Sequence, residues 1–375
     1  MRNALAAVWA VILATGIVQA ANGLQTDLLG LRAGLEAFPP WSIGVIMAGY
    51  YAGYSSGPIL CPPIIRRIGH VNTVAAGLFV AAGVIVLHGL VVAPAAWTLL
   101  RAVAGVALSC VYVSFESWIH ERSANRVRGR VFSLYMVSQM IGMTGSQALL
   151  TTADPRTLAL FLLAAALFAL GAAPVFAARG SEPRQVPPEP FGLVRLFRIS
   201  PLGAIETFLS GVSWAAVFTF GPVYAQREHL SLPQVAWFMG VAMATGAVLQ
   251  FPLGWLSDAI GRKPTLALMC AAAALSAVFG LWAESGALWT KYAASALIGG
   301  LVFPLYSLAV AHTNDRIDTQ LRVPAAAGLV LLFGLGSILG PLAIGGAMQS
   351  LGPTGYYGVL AAVMGASLIA AVTTR

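Results

Sequence analysis

The sequence is poor in charge: of its 375 residues only 9% are Asp, Glu, Lys or Arg, against about 25% in an ordinary soluble domain. Without a charged coat, a chain that is 58% hydrophobic cannot hide its apolar surface in one core, which excludes a soluble globular protein. Cysteine is scarce as well. Cys61, Cys110 and Cys270 lie far apart in apolar runs, too scattered for a metal site or a disulfide framework, and read as three buried thiols. The five histidines are equally dispersed, so no cluster of histidines and acids is available for a membrane-embedded enzyme. No glycine-x4-glycine-lysine loop follows a strand, and no soluble domain could hold one, which excludes a nucleotide-driven pump. Neither a metal nor a cofactor is expected.

What is present is a series of charge-free runs of helix-spanning length: 37–65, 71–87, 131–153, 157–178, 207–226, 230–257, 264–283 and 292–311. The charge-free stretch 323–374 is broken by Gly352-Pro353 and Gly355 and holds two more. Residues 3–26 make another, and 95–120 one that is interrupted by charge, so twelve spans are expected. The first span has the outline of a signal peptide, Arg2 followed by an apolar run and small residues near Ala20-Ala21, but eleven further spans and an even total favour reading it as a span with both termini on one side.

With a cytoplasmic N-terminus the inner side receives 16 of the 21 basic residues; only Arg32, Arg156, Arg227 and Lys291 fall outside and Arg101 lies within the membrane. The net charge of +8 is therefore a topology signal, with anionic lipid head groups rather than nucleic acid as its partner. The expected location is a bacterial inner membrane, with both termini cytoplasmic. The proline-rich polar stretch 179–199 reads as a cytoplasmic linker between halves 1–178 and 200–375. Internal repetition supports the division. Arg66-Arg67-Ile68-Gly69-His70 lines up with Asp258-Ala259-Ile260-Gly261-Arg262, 192 residues later. Two duplicated six-helix halves imply a substrate site between them near the bilayer midplane.

The segment Gly254-Trp255-Leu256-Ser257-Asp258-Ala259-Ile260-Gly261-Arg262-Lys263 resembles the cytoplasmic loop signature of the major facilitator superfamily, at the place where that family carries its second copy. Gly254 allows close helix approach, Gly261 a tight turn, and Asp258 an ion pair at a helix end. Leu100-Arg101-Ala102-Val103-Ala104-Gly105 is similar to the family's fourth-helix pattern, with Ala104 in place of the usual glutamine. Phe115-Glu116-Ser117, followed by Arg126, Arg128-Gly129-Arg130 and Tyr135, is similar to a poorly characterised YcaD-like bacterial branch. The resemblance implies an all-α membrane protein of two pseudo-symmetric six-helix bundles, a secondary transporter that moves a solute by rocking.

The departures are informative. In the first half the loop aspartate is replaced by Arg66 and the leading glycine by Pro62. The glycine-proline signature of antiporter branches is missing from span five, where Gly142-Met143-Thr144-Gly145-Ser146-Gln147 has no proline, and a similar string appears in span eleven as Gly336-Ser337-Ile338-Leu339-Gly340-Pro341.

Each intramembrane charge costs about 2.5–3.5 kcal/mol at a helix centre, so the few that exist are candidates for function. Arg101 is expected to face the central cavity as a fixed positive charge, or else to snorkel outward. Asp27 is a candidate proton carrier or an outer-interface residue, with Asn22, Gln25 and Thr26 forming a polar stripe on the same helix. Glu116 reads as a gating residue paired with Arg67, Arg128 or Arg130, and Glu206 as either an inner-gate partner or a second proton site. Tyr50, Tyr51, Tyr54, Tyr135, Gln139, Trp214, Phe218, Gln250 and Tyr306 are candidates for a mixed polar and aromatic lining, while His88, His229 and His312 read as interfacial. The expected activity is proton-coupled efflux of a small organic solute by a monomeric carrier; a lipid flippase and a facilitative uniporter are the alternatives.

The loop signature implies that Asp258 pairs with Arg130 or Arg128 across the halves, and the reversed charge at Arg66 suggests a swapped pair with Asp318, at the start of a span that also carries Arg322. Charge reversal at Arg66 should then cripple transport, and Asp318→Arg in the same chain should restore part of it. Solute flux in proteoliposomes measures both; a double variant as inactive as the single one removes the pair.

Overall fold

The protein was analysed as a computed structural model, which describes residues 2–122, 125–178, 192–318 and 322–374. The described residues are helical throughout, with no strand. Fourteen helices follow one another: α1 (Arg2–Leu35), α2 (Pro40–Ser55), α3 (Gly57–Leu90), α4 (Pro94–Arg122), α5 (Asn125–Leu150), α6 (Ala159–Ala177), α7 (Leu193–Ile199), α8 (Pro201–Arg227), α9 (Leu232–Ile260), α10 (Arg262–Ala283), α11 (Leu288–Val302), α12 (Leu305–Asn314), α13 (Arg322–Leu351) and α14 (Thr354–Thr373). Ten stretches among them are long and apolar enough to cross a membrane. The expected twelve spans emerge from two further readings. Gly69 at φ 80° interrupts α3, so α2 with the start of α3 forms span two and the remainder span three. The helix α5, with arginines in its first turns, supplies span five.

Span two is itself broken at Ser56, whose hydroxyl turns back onto the Gly53 carbonyl at 2.6 Å. Prolines after the break, Pro62 and Pro63, remove two backbone donors from the helix that resumes. Of the linker, residues 179–191 lie outside the described residues; the remainder ends in the short helix α7, whose Leu196 is buried with Ala204, Ala325 and Leu329.

The chain forms two compact units, Met1–Leu35 with Gly49–Pro187, and Glu36–Ala48 with Pro188–Arg375. The first half of α2 thus groups with the second unit: Gly44 packs on the backbone of Pro341, and Gly345 on that of Pro40.

Within each unit, glycine sets the helix spacing. In the first, α1 and α5 run parallel with Gly142 against the Gly16 carbonyl and Ala20, and Gly16 under the Ser138 hydroxyl. In the second, α8 and α13 repeat the arrangement, with Gly211 on Phe333, Gly336 on Phe208 and Gly340 on Val212. Lipid tails are as apolar as leucine, so helix association in a bilayer relies on such close backbone contact rather than on hydrophobic burial. A serine locks each pair: Ser138 donates to the Ile12 carbonyl at 2.6 Å and Ser337 to the Gly211 carbonyl at 3.3 Å, each across 126 residues.

The turns at the expected repeat also match. Gly69 (φ 80°, ψ 168°) and Gly261 (φ 97°, ψ 156°) adopt the same backbone conformation, open only to glycine at low cost, and each carbonyl accepts a hydroxyl four residues on, from Thr73 at 2.7 Å and Thr265 at 2.9 Å.

Two expectations need correction. Cys61 and Cys110 are not separate thiols: they form a disulfide between α3 and α4, with Cα atoms 5.0 Å apart, because the fold brings together turns that are 49 residues apart in sequence. Cys270 alone is free and buried. His88 and His312 are buried rather than interfacial; His88 Nδ1 is bonded to the Val84 carbonyl at 2.8 Å with its ring edge-on to Trp97, and His312 Nδ1 meets Arg316 at 3.1 Å.

Two outcomes follow from this packing. Gly142→Leu should destabilise the protein by about 1–3 kcal/mol through overpacking, read as a lower unfolding midpoint in detergent, while Gly145→Ala, which meets nothing within 4 Å, should not. Denatured protein should take up one maleimide per chain before reduction and three after it, by intact mass, reflecting Cys270 alone and then all three cysteines.

Candidate functional site

The constant spacing of the α1–α5 pair places polar side chains opposite one another at two levels, eight residues apart. At the first, Gln19 Nε2 donates to Gln139 Oε1 at 3.1 Å; at the second, Gln147 Nε2 donates to Asp27 Oδ2 at 2.6 Å. Both bonds cross 120 residues, as two parallel helices in fixed register require. Asp27 is fully buried, not at the outer interface, and no ion pair to it is found among the described residues. Its Oδ1 makes no hydrogen bond.

Gln19 is the hub of the first level. Its Oε1 also accepts from the Tyr112 hydroxyl at 2.6 Å and from Asn22 Nδ2 at 3.4 Å. Tyr112 continues into a row of rings, with Tyr54 at 6.1 Å and Tyr50 stacked on Tyr54 at 5.9 Å. Gln19, Gln139 and Tyr54 keep partial exposure, so this is an open face of the first unit. Arg101 does not project from it. The guanidinium is buried beneath Tyr50, 4.4 Å from the ring centre, with Tyr51 and His88 in electrostatic reach. It holds the tyrosine row from behind, a cation–π contact inside low-dielectric surroundings. Gln25 is fully buried and neither amide atom finds a hydrogen-bond partner. Thr26 bonds the Asn22 carbonyl at 2.9 Å.

Glu116 lies within electrostatic reach of Tyr135. Of its expected partners, Arg67 is exposed, and the side chains of Arg128 and Arg130 lie outside the described residues.

The second unit offers a different surface. Trp214 meets Phe218 at 4.9 Å, Phe333 at 5.9 Å and Phe303 at 6.0 Å, and Tyr306 joins the group edge-on to Phe333 at 4.8 Å. Trp214 and Tyr306 are half-buried, as is Gln250 on α9. Glu206 is buried among α8, α10 and α14, receiving the Cys270 thiol at 3.8 Å on Oε2, with Ser367 beside it. Its Oε1 makes no hydrogen bond. At one end of this unit Glu228 and Lys291 form a largely buried ion pair. Near them Glu284 accepts from Thr354 at 2.9 Å; burial, and then the charge of Glu228, hold its carboxyl above the usual range.

The loop after α9 corrects the expected pairing of Asp258. Its carboxylate bonds Arg262 at 2.6 Å, one turn further along, and Arg262 also reaches Asp315 at 3.1 Å and Ser257 at 3.0 Å. The left-handed Gly261 turn brings Arg262 back over Asp258, and so the ion cluster closes inside its own unit. Gly254 has open space about it, so close helix approach is not its role. Arg66 and Asp318 are both exposed, one on each unit.

Two six-span halves with repeated turns, a paired α1–α5 and α8–α13 core and this loop cluster match known proteins along the whole chain. The profile of the Major Facilitator Superfamily matches residues 4–323 and 203–375. The chain belongs to the major facilitator superfamily. It is similar to the uncharacterized MFS-type transporter YcaD of Escherichia fergusonii, 26% identical over 327 residues that cover 86% of this chain and 83% of the relative. An uncharacterized MFS-type transporter of Enterobacter sp. (strain 638) is 26% identical over 328 residues, with the same coverage. Among solved structures, the nucleoside transporter NupG superposes with TM-score 0.78 at 14% identity, over 98% of this chain and 97% of that one. A bacterial homologue of the human lysosomal transporter Spinster, inward-facing and unoccupied, gives 0.75 at 14% identity, over 99% and 95%. At such identity these two show the shared fold. The protein is a multi-pass membrane transporter of this superfamily, not an enzyme.

Sequence reasoning missed Gln19, Tyr112 and Gln147. The signal was there: Gln19 and Asp27 are eight residues apart, and so are Gln139 and Gln147.

Proposed function

We propose that this transporter is a monomeric, proton-coupled carrier of a small organic solute in the bacterial inner membrane, working by alternating access, with both termini in the cytoplasm and export as its direction. The observation that carries the coupling is the Asp27–Gln147 pair. A buried carboxyl held by an amide, rather than by a cation, takes up and releases a proton without breaking an ion pair. It also sits two turns along α1 from Gln19, on a helix pair whose register is fixed by glycine, so protonation at one level is mechanically close to solute contacts at the other. Glu206, buried with one oxygen unbonded, is a second proton site in the other unit. Arg101 keeps the tyrosine row in place. The 16-to-4 distribution of basic residues supports the orientation.

Proteoliposomes with an internal pH reporter test the scheme against a solute panel. Wild type should move protons with solute; Asp27→Asn should abolish proton movement while leaving solute exchange, and Glu206→Gln should reduce the protons moved per solute. Proton movement that survives both changes together sinks the coupling scheme, and flux that only equalises solute concentration, with no response to a pH gradient, identifies a uniporter.

A further inference from the structure

The polar face of the first unit is unusual in what it leaves uncommitted. Gln19 uses both ends of its amide inside the protein, on Gln139, Tyr112 and Asn22. Those bonds orient its neighbours. Gln139, held through its Oε1, turns its NH2 donor outward; Asn22, held through its Nδ2, leaves Oδ1 without a hydrogen bond beside the Tyr50 hydroxyl. A neutral donor and a neutral acceptor therefore flank one amide hub, next to the Tyr54 and Tyr112 rings, whose centres are 6.1 Å apart. Full charges are withdrawn: Arg101 is 0% exposed under Tyr50, and Asp27 is 0% exposed against Gln147.

This pattern discriminates between solute classes. An organic anion or cation would find no exposed counter-charge among these side chains. A sugar needs a dense array of free donors and acceptors, but most here are spent on one another. A flat heterocycle needs only an adjacent donor and acceptor along one edge and an aromatic face for its ring, which is how amide side chains and tyrosines read nucleobases. We infer that this face takes an uncharged planar heterocycle of the nucleobase class as the transported solute. The inference rests on the carrier reading above and adds the substrate class to it.

The test uses the full-length protein in nanodiscs, with tritiated uracil and adenine as probes and glucose, benzoate and tetraphenylphosphonium as competitors. One of the two heterocycles should bind saturably and resist all three competitors. Gln139→Leu and Tyr54→Leu should each weaken binding by about tenfold, the scale of one amide or stacking contact, while Tyr54→Phe stays within about twofold. Absence of saturable binding by either probe to monodisperse protein overturns the inference, as does binding that is indifferent to Tyr54→Leu. Proton-linked flux of some other solute alongside that absence would leave the carrier reading standing; heterocycle binding with no flux in proteoliposomes would strike the carrier reading instead.

Discussion

Backbone-to-backbone approach between α1 and α5, and again between α8 and α13, is the constraint from which most other features follow. Gly16, Gly142 and Gly23 on one pair, and Gly211, Gly336 and Gly340 on the other, hold their helices too close for side chains to intervene. A bilayer offers no water to satisfy a misplaced polar group, so a polar residue on such a pair must face a partner at a matching level. The register that glycine imposes is what lets Gln19 find Gln139 and Asp27 find Gln147. Looser spacing would leave a carboxyl and three amides stranded in hydrocarbon.

The two units share this skeleton but clothe it differently. In the first, amides and phenols bond one another around Gln19; in the second, Trp214, Phe303, Tyr306 and Phe333 meet through ring contacts. One surface offers directional recognition, the other dispersion and π contact with little angular demand. A duplicated architecture can thus divide labour, one unit selecting by hydrogen bond and the other accommodating by shape.

The span count, the topology and the family were legible because they depend on apolar run length, the bias of arginine and one loop string, all of which are local. Gly261 announced its turn for the same reason. Pairings across the chain were less accessible. Cys61 and Cys110 looked unrelated because nothing in either apolar run records that α3 and α4 lie side by side. Arg101 was expected to face outward because a charge within a span suggests a cavity, but a tyrosine ring supplied a partner that no charge inventory contains. Asp258 was assigned a distant arginine when Arg262, one turn away, met it first. Local features came from sequence; each miss concerned a partner chosen by packing.

The paired turns at Gly69 and Gly261 carry one more consequence. The acid that precedes the second turn has become Arg66 before the first, and yet the left-handed glycine and the threonine that caps its carbonyl survive in both copies. An ion pair can be rewired by swapping partners or moved to a neighbour, whereas a backbone that must turn through positive φ has only one residue that adopts it without strain. Within this chain, shape has outlasted charge, and the oldest trace of its duplication is a bend in the main chain rather than a salt bridge.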